Sequence, residues 1–218
     1  VLPYGLNDEE RAAFANAARP AAERLRRKEI CFLGMWSVRK GSRDWPDIVR
    51  RILKSEPGAR FAFLGTMTNE QSVLRDLQLT PSESIRCLPE YEPKELPQLI
   101  ANCALGLFPS YIEGFGISVI EQLAAGIPTI AYDVPGPRQI FKNAGAEFLV
   151  PAGDVQAMTN RALEIMRMNE SDYAALSNKS REIAAQFRWE QIATDDIHEY
   201  VEALQHIGDH APSQPVTA

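Results

Sequence analysis

From residue 30 onward, short uninterrupted apolar runs alternate with longer stretches in which apolar residues recur every three or four positions. The short runs fall at 30–33, 61–64, 85–88, 105–108, 129–132 and 147–150. Lacking the in-out alternation of a half-exposed strand, they predict strands buried on both faces. Helical periodicity fills the gaps at 47–54, 69–77, 93–101, 118–125 and 136–142. Strands alternating with helices imply βαβ units with right-handed crossovers. The expected fold is Rossmann-like α/β: a six-stranded parallel sheet between two helical layers.

The flanking segments read differently. Residues 8–28 are rich in Ala, Arg and Glu and predict helix, divided at Pro20 because proline removes a donor and clashes with the preceding turn. Three helical stretches at 155–168, 172–186 and 191–206 close the chain as a helical extension. The last residues, 208–218, carry Pro212, Ser213 and Pro215 and are expected to be a disordered tail. The opening Val-Leu-Pro-Tyr-Gly-Leu resembles the end of a strand and a turn, so a further region is expected upstream. The expected division is a helical linker at 1–29, one domain at 30–207, and the tail.

Composition narrows the class. With 218 residues and 45% hydrophobic side chains the chain can bury a full core. A net charge of −6 argues against a nucleic-acid surface and against attraction to an acidic membrane leaflet. No apolar run approaches the roughly 20 residues of a membrane span, and no signal-peptide pattern opens the chain. Cys31, Cys87 and Cys103 lack metal-ligand spacing and sit among apolar neighbours. They are expected to be reduced core thiols in a cytoplasmic protein. His198, His206 and His210 are expected on the surface.

Candidate chemistry gathers at strand-to-helix junctions, where an α/β sheet places its ligand. Residues 113–121 read Glu-Gly-Phe-Gly-Ile-Ser-Val-Ile-Glu. Gly114 and Gly116 allow close backbone approach. A helix starting near Gly116 would offer unpaired N–H groups and its dipole to a diphosphate. Glu113 lies in the loop, and Glu121 sits in the helix at a depth suited to ribose hydroxyls. A turn-capping Glu113 and a solvated Glu121 form the plainer alternative. After the first strand, Gly34-Met-Trp-Ser-Val-Arg-Lys-Gly41 brings Arg39 and Lys40 to the same edge, either as a diphosphate clamp or as a solvated basic turn. Neither the P-loop nor the Gly-x-Gly-x-x-Gly spacing is present. At Gly136-Pro-Arg-Gln-Ile140, turn chemistry is favoured over a pocket role for Arg138, with Gly136 closing a turn and Pro137 opening a helix.

These residues together resemble a family. Phe-Leu-Gly and Arg-Lys-Gly within 32–41, Phe-Leu-Gly at 63–65, Pro-Ser-x-x-Glu-Gly-Phe-Gly at 109–116, Glu121, Ala-Gly-Ile-Pro at 125–128 and Phe-x-Trp at 187–189 are similar to the C-terminal half of GT-B fold glycosyltransferases. The retaining group called glycosyltransferase family 4 fits best. The resemblance implies a nucleotide-diphosphate sugar as donor, no further cofactor, no metal, and an acceptor-binding domain on the missing N-terminal side. It also implies roles. Lys40 would hold the diphosphate, Glu121 the ribose, and Glu113 would lie by the donor sugar in a catalytic or positioning role. Backbone groups from Gly114 through Phe115, Gly116, Ile117 and Ser118 would meet sugar and phosphate, with Gly34 beneath them. The segment from Leu88 to Glu90 would read the base. Met35 stands where the family often has arginine, and Arg39 is the candidate replacement. An isolated fragment is expected to bind nucleotide without transferring sugar. A non-catalytic module of the same fold, an epimerase or a phosphorylase are the alternatives.

Overall fold

A computed structural model describes residues 3–209. Every short apolar run contributes a strand: β1 (Glu29–Leu33), β2 (Arg60–Leu64), β3 (Ile85–Leu88), β4 (Cys103–Phe108), β5 (Thr129–Tyr132) and β6 (Leu149–Val150). They pair in parallel in the order β3-β2-β1-β4-β5-β6. All residues of β1, β4 and β5 are buried, which is why their sequences show no alternation. The strand order reverses between β1 and β4, and that reversal opens a crevice above their carboxyl ends.

The helices are α1 (Asp8–Ala17), α2 (Ala21–Arg27), α3 (Trp45–Ser55), α4 (Glu70–Leu77), α5 (Leu96–Ile100), α6 (Ile117–Ala124), α7 (Pro135–Ile140), α8 (Val155–Met166), α9 (Glu170–Ala184) and α10 (Trp189–Asp209). Helix α3 packs on α4 and α8, with α8 against β4 and β5. Helix α9 packs on α2 and α6, with α1 across α5 and α6. Pro20 does separate α1 from α2. Asn7 caps α1 reciprocally with Glu10: the Glu10 N–H donates to Asn7 Oδ1 at 2.8 Å and the Asn7 N–H to Glu10 Oε2 at 2.9 Å.

Four local readings change. Only Leu149 and Val150 pair with β5, because Glu147 and Phe148 coil into a 3-10 turn. The helix expected at 93–101 is a 3-10 turn, Pro93–Glu95, followed by α5. Pro97 sits in the first turn of α5, where its missing donor is harmless. Helix α7 begins at Pro135, so Gly136 is not a turn residue. A Cβ there would lie 2.4 Å from the Phe115 carbonyl oxygen, so close packing requires the glycine. Cys31 and Cys103 are buried free thiols, whereas Cys87 is only half-buried, beside Thr66.

Arg24, in the Ala-, Arg- and Glu-rich helical segment, is fully buried. Its guanidinium donates to the carbonyls of Arg19 at 3.1 Å and Gly126 at 2.8 Å, and to Ser177 Oγ at 2.7 Å. No carboxylate pairs with it among the described residues. The negative end of α6 supplies the compensation instead. Near the start of the chain, Leu6 makes a single parallel bridge to Arg188, and Tyr4 packs on Trp189 with centroids 5.6 Å apart. Val1, Leu2 and the tail from His210 lie outside the described residues, as does the His206 side chain; His198 is exposed.

Candidate functional site at the carboxyl ends of β1 and β4

The loop after β1 is anchored on both sides of Lys40. Trp36 Nε1 donates to Asp76 Oδ2 on α4 at 2.9 Å, and buried Trp45 packs edge-on against Phe63 with centroids 4.9 Å apart. At the end of the loop Gly41 adopts φ 82°, and a Cβ there would lie 2.3 Å from the Pro109 carbonyl oxygen. Glycine is therefore required for this loop to meet the one after β4. The contact brings Lys40 to Glu113, and the two form an ion pair, each side chain only 13% exposed. The ammonium also lies 5.0 Å above the Phe108 ring, and the lysine stem runs beside Gly34, with Cε 3.9 Å from where a Cβ would stand.

Gly116, at φ 104°, ends the Glu113 loop and stands at the N-cap of α6. It provides no capping side chain, and the N–H groups of Ile117 and Ser118 have no partner among the described residues. The N-terminus of α6 therefore faces the crevice with unpaired donors. Of the two loop glycines only Gly116 uses a positive φ; Gly114 is exposed, with open space where a Cβ would be.

Glu121 lies one turn into α6. It is largely buried and accepts no hydrogen bond from a described residue. It lines a cavity of about 260 Å³ with Glu10, Phe14, Pro93, Lys94 and Pro97. Burial pushes its carboxyl up to about 7, and the negative charge of Glu10 adds to the shift. Tyr91, packed beside Gly65, is pushed up to about 12 by burial first and by the Glu121 charge second. The carbonyls of Leu88 and Pro89 already accept from Gly65 and Met67 at 2.9 and 3.0 Å.

Lys40, Glu113, Gly34 and the start of α6 thus converge, with Glu121 to one side. Arg39 is not in that cluster; it lines a recess on the opposite flank with Arg43, Tyr111 and Ile112. Met35 is 48% exposed. Arg138 is exposed and pairs with Asp133 at 2.7 Å, a turn contact. Two features escaped the sequence reading. Asp44 Oδ2 accepts from the hydroxyls of Tyr111 at 2.7 Å and Tyr132 at 2.6 Å, a network joining two loops and the end of β5 with no local signature. Burial, then the hydrogen bond to Asp44 and its charge, push both phenols up. Tyr91 was signalled only by its place just beyond β3.

The family model described as glycosyl transferases group 1 matches residues 14–183, which contain Lys40, Glu113, the start of α6 and Glu121. The chain belongs to that family. Similar curated proteins include the D-inositol 3-phosphate glycosyltransferase of Mycolicibacterium smegmatis, 26% identical over 210 residues that cover 94% of this chain and 45% of that protein. The chain thus spans about half the length of the curated relatives it matches. Among solved structures, sucrose-phosphate synthase from Thermosynechococcus elongatus superposes with a TM-score of 0.72 at 21% identity, over 94% of this chain and 52% of that one. Anabaena HepE, solved with UDP-glucose, gives 0.70 at 19% identity, over 91% and 56%. The sheet is that of a GT-B glycosyltransferase domain. No helix among the described residues is long and apolar enough to cross a membrane.

Proposed function

We propose that this chain is the donor-binding half of a retaining glycosyltransferase and takes a nucleotide-diphosphate sugar without a metal. The observation that carries the reading is the disposition of groups around the start of α6. On one side Lys40 is held against Glu113; on the other Glu121 waits unpaired in a cavity. A nucleotide laid across this edge puts its ribose hydroxyls on Glu121 and its diphosphate on Lys40 and the N–H groups of Ile117 and Ser118. The sugar then falls beside Glu113. Cation and helix dipole stabilise the charge that develops on the departing diphosphate. Glu113, already neutralised by Lys40, is better suited to orienting sugar hydroxyls than to abstracting a proton. The acceptor half of the cleft belongs to a further domain, so the chain alone binds nucleotide and transfers no sugar.

Titration calorimetry with UDP, GDP and ADP, free and sugar-linked, tests this on wild type and Glu121→Ala. At least one nucleotide is expected to bind in the micromolar range, and Glu121→Ala to weaken it about tenfold or more. Binding no tighter than millimolar, or equal binding by the variant, overturns the assignment. Retention is checked by the anomeric configuration of the product made when the acceptor half is supplied.

A further inference from the structure

Beyond the Lys40–Glu113 pair, on the flank away from Glu121, lies an open recess of about 480 Å³. Its residues come from the loops after β1 and β4, and none of them lines the Glu121 cavity. The two hollows therefore mark opposite ends of a line along the sheet edge. The Glu121 end lies by Pro93 and Lys94, just past β3. The recess lies toward β5, against Tyr132. If the ribose occupies the first end and the sugar lies by Glu113, the recess lies beyond the sugar, on this chain's side of the cleft that receives the acceptor.

The charge in the recess is specific. Arg39 and Arg43 are exposed, and their guanidinium groups make no ion pair or hydrogen bond with a described residue. The one acid in the lining, Asp44, is committed to the hydroxyls of Tyr111 and Tyr132. Two exposed guanidinium forks thus stand without a partner among the described residues, in a chain whose net charge is −6. The walls are also fixed in advance. The Tyr111 N–H donates to the Arg39 carbonyl at 2.9 Å, and the Tyr111 and Tyr132 rings meet edge-on at 5.3 Å. Beside the arginines stand Val38, 50% exposed, and Ile112, 64% exposed, an apolar rim next to a cationic floor.

We propose that this recess binds a phosphate ester carried by the acceptor, with the phosphate on Arg39 and Arg43 and its organic part along Val38 and Ile112. Paired guanidinium forks match phosphate oxygens in number and geometry. The apolar rim selects an ester over the free ion. This rests on the donor-binding reading for its orientation, since Glu121 defines the opposite end. It also moves Arg39 from the donor to the acceptor.

Calorimetric titrations of the 218-residue chain with inorganic phosphate and with decyl phosphate below its micelle concentration, each with and without saturating UDP, test it. Decyl phosphate is expected to bind at one site, about tenfold or more tighter than inorganic phosphate, and UDP is expected to leave its Kd unchanged. Arg39→Gln and Arg43→Gln should each weaken it about tenfold. Both side chains lack partners, so circular dichroism of the variants should match wild type. Absence of decyl phosphate binding, undiminished binding by both variants, or displacement by UDP overturns the proposal. Equal affinity for the two probes assigns the recess to free phosphate and overturns the acceptor role. Failure of UDP itself to bind removes the donor reading, and the variants then judge the phosphate site alone.

Discussion

Glu121→Gln isolates the consequence of burying an unpaired carboxylate. Burial raises the Glu121 carboxyl from 4.5 to about 7. The folded state therefore holds the proton more tightly than the unfolded chain. The stability this confers is fully present below about pH 4.5 and is lost as pH rises through 7. At about 1.4 kcal/mol per pH unit the shift sets an upper limit of about 3 kcal/mol. Partial solvent access makes about 1–3 kcal/mol the working range. Glutamine keeps the shape of the protonated acid but never ionises. In urea titrations followed by tryptophan fluorescence, the variant should match wild type near pH 5 and exceed its stability by about 1–3 kcal/mol at pH 8. Other titrating groups are common to both proteins and cancel in the difference. A difference that stays constant within about 0.5 kcal/mol from pH 5 to 8 would refute the reasoning. The same charge has a ligand readout. Ribose hydroxyls donating to Glu121 favour the ionised form, so UDP binding near pH 6.5 should release a proton, visible as a binding enthalpy that depends on the buffer.

Lys40→Met leaves Glu113 unpaired while mostly buried; a loss of about 1–3 kcal/mol in urea midpoints and a weakening of UDP of about tenfold or more are expected, with Lys40→Arg restoring only part of the affinity. Arg24→Met removes the buried donor to the Arg19 carbonyl and one of the two side-chain donors to the Gly126 carbonyl, and should cost about 2–4 kcal/mol in chemical denaturation. Gly106→Ala should cost about 2–4 kcal/mol, since its Cβ would lie 2.0 Å from Gln122 Oε1 and 2.6 Å from Thr129 Oγ1 inside the core. Gly114→Ala, with open space at that point, should stay within about 0.5 kcal/mol of wild type.

The strands were legible because each is buried on both faces, and such segments write themselves as plain apolar runs. β6 was read too long because apolar Phe148 is buried through a 3-10 turn as well as it would be through a strand. Lys40, Glu113 and Glu121 could be placed at one edge because βα junctions in a parallel sheet all face the same way. Their pairing could not be read: whether Lys40 meets Glu113 or Glu121 depends on how Gly41 seats against Pro109. The burial of Arg24 was not legible for a related reason. An arginine in an Ala- and Glu-rich segment looks solvated unless the carbonyls that will receive it, one of them at Gly126, are known. The Asp44 network draws on residues from positions 44, 111 and 132, which no local window joins.

The bridge between Leu6 and Arg188 has a mechanical consequence. The Leu6 N–H donates to the Phe187 carbonyl and the Trp189 N–H to the Leu6 carbonyl, and a Cβ on Gly5 would lie 2.6 Å from the same Phe187 oxygen. The two ends of the folded unit are therefore clasped at one corner, with Tyr4 over Trp189 as the outer leaf. A stretching force applied between Tyr4 and Tyr200 loads that clasp before it loads any strand of the sheet. Two backbone hydrogen bonds should part first, letting α10 swing free while the six strands stay paired. In an optical trap this predicts a small, low-force extension that reverses readily, well below the force at which the sheet gives way.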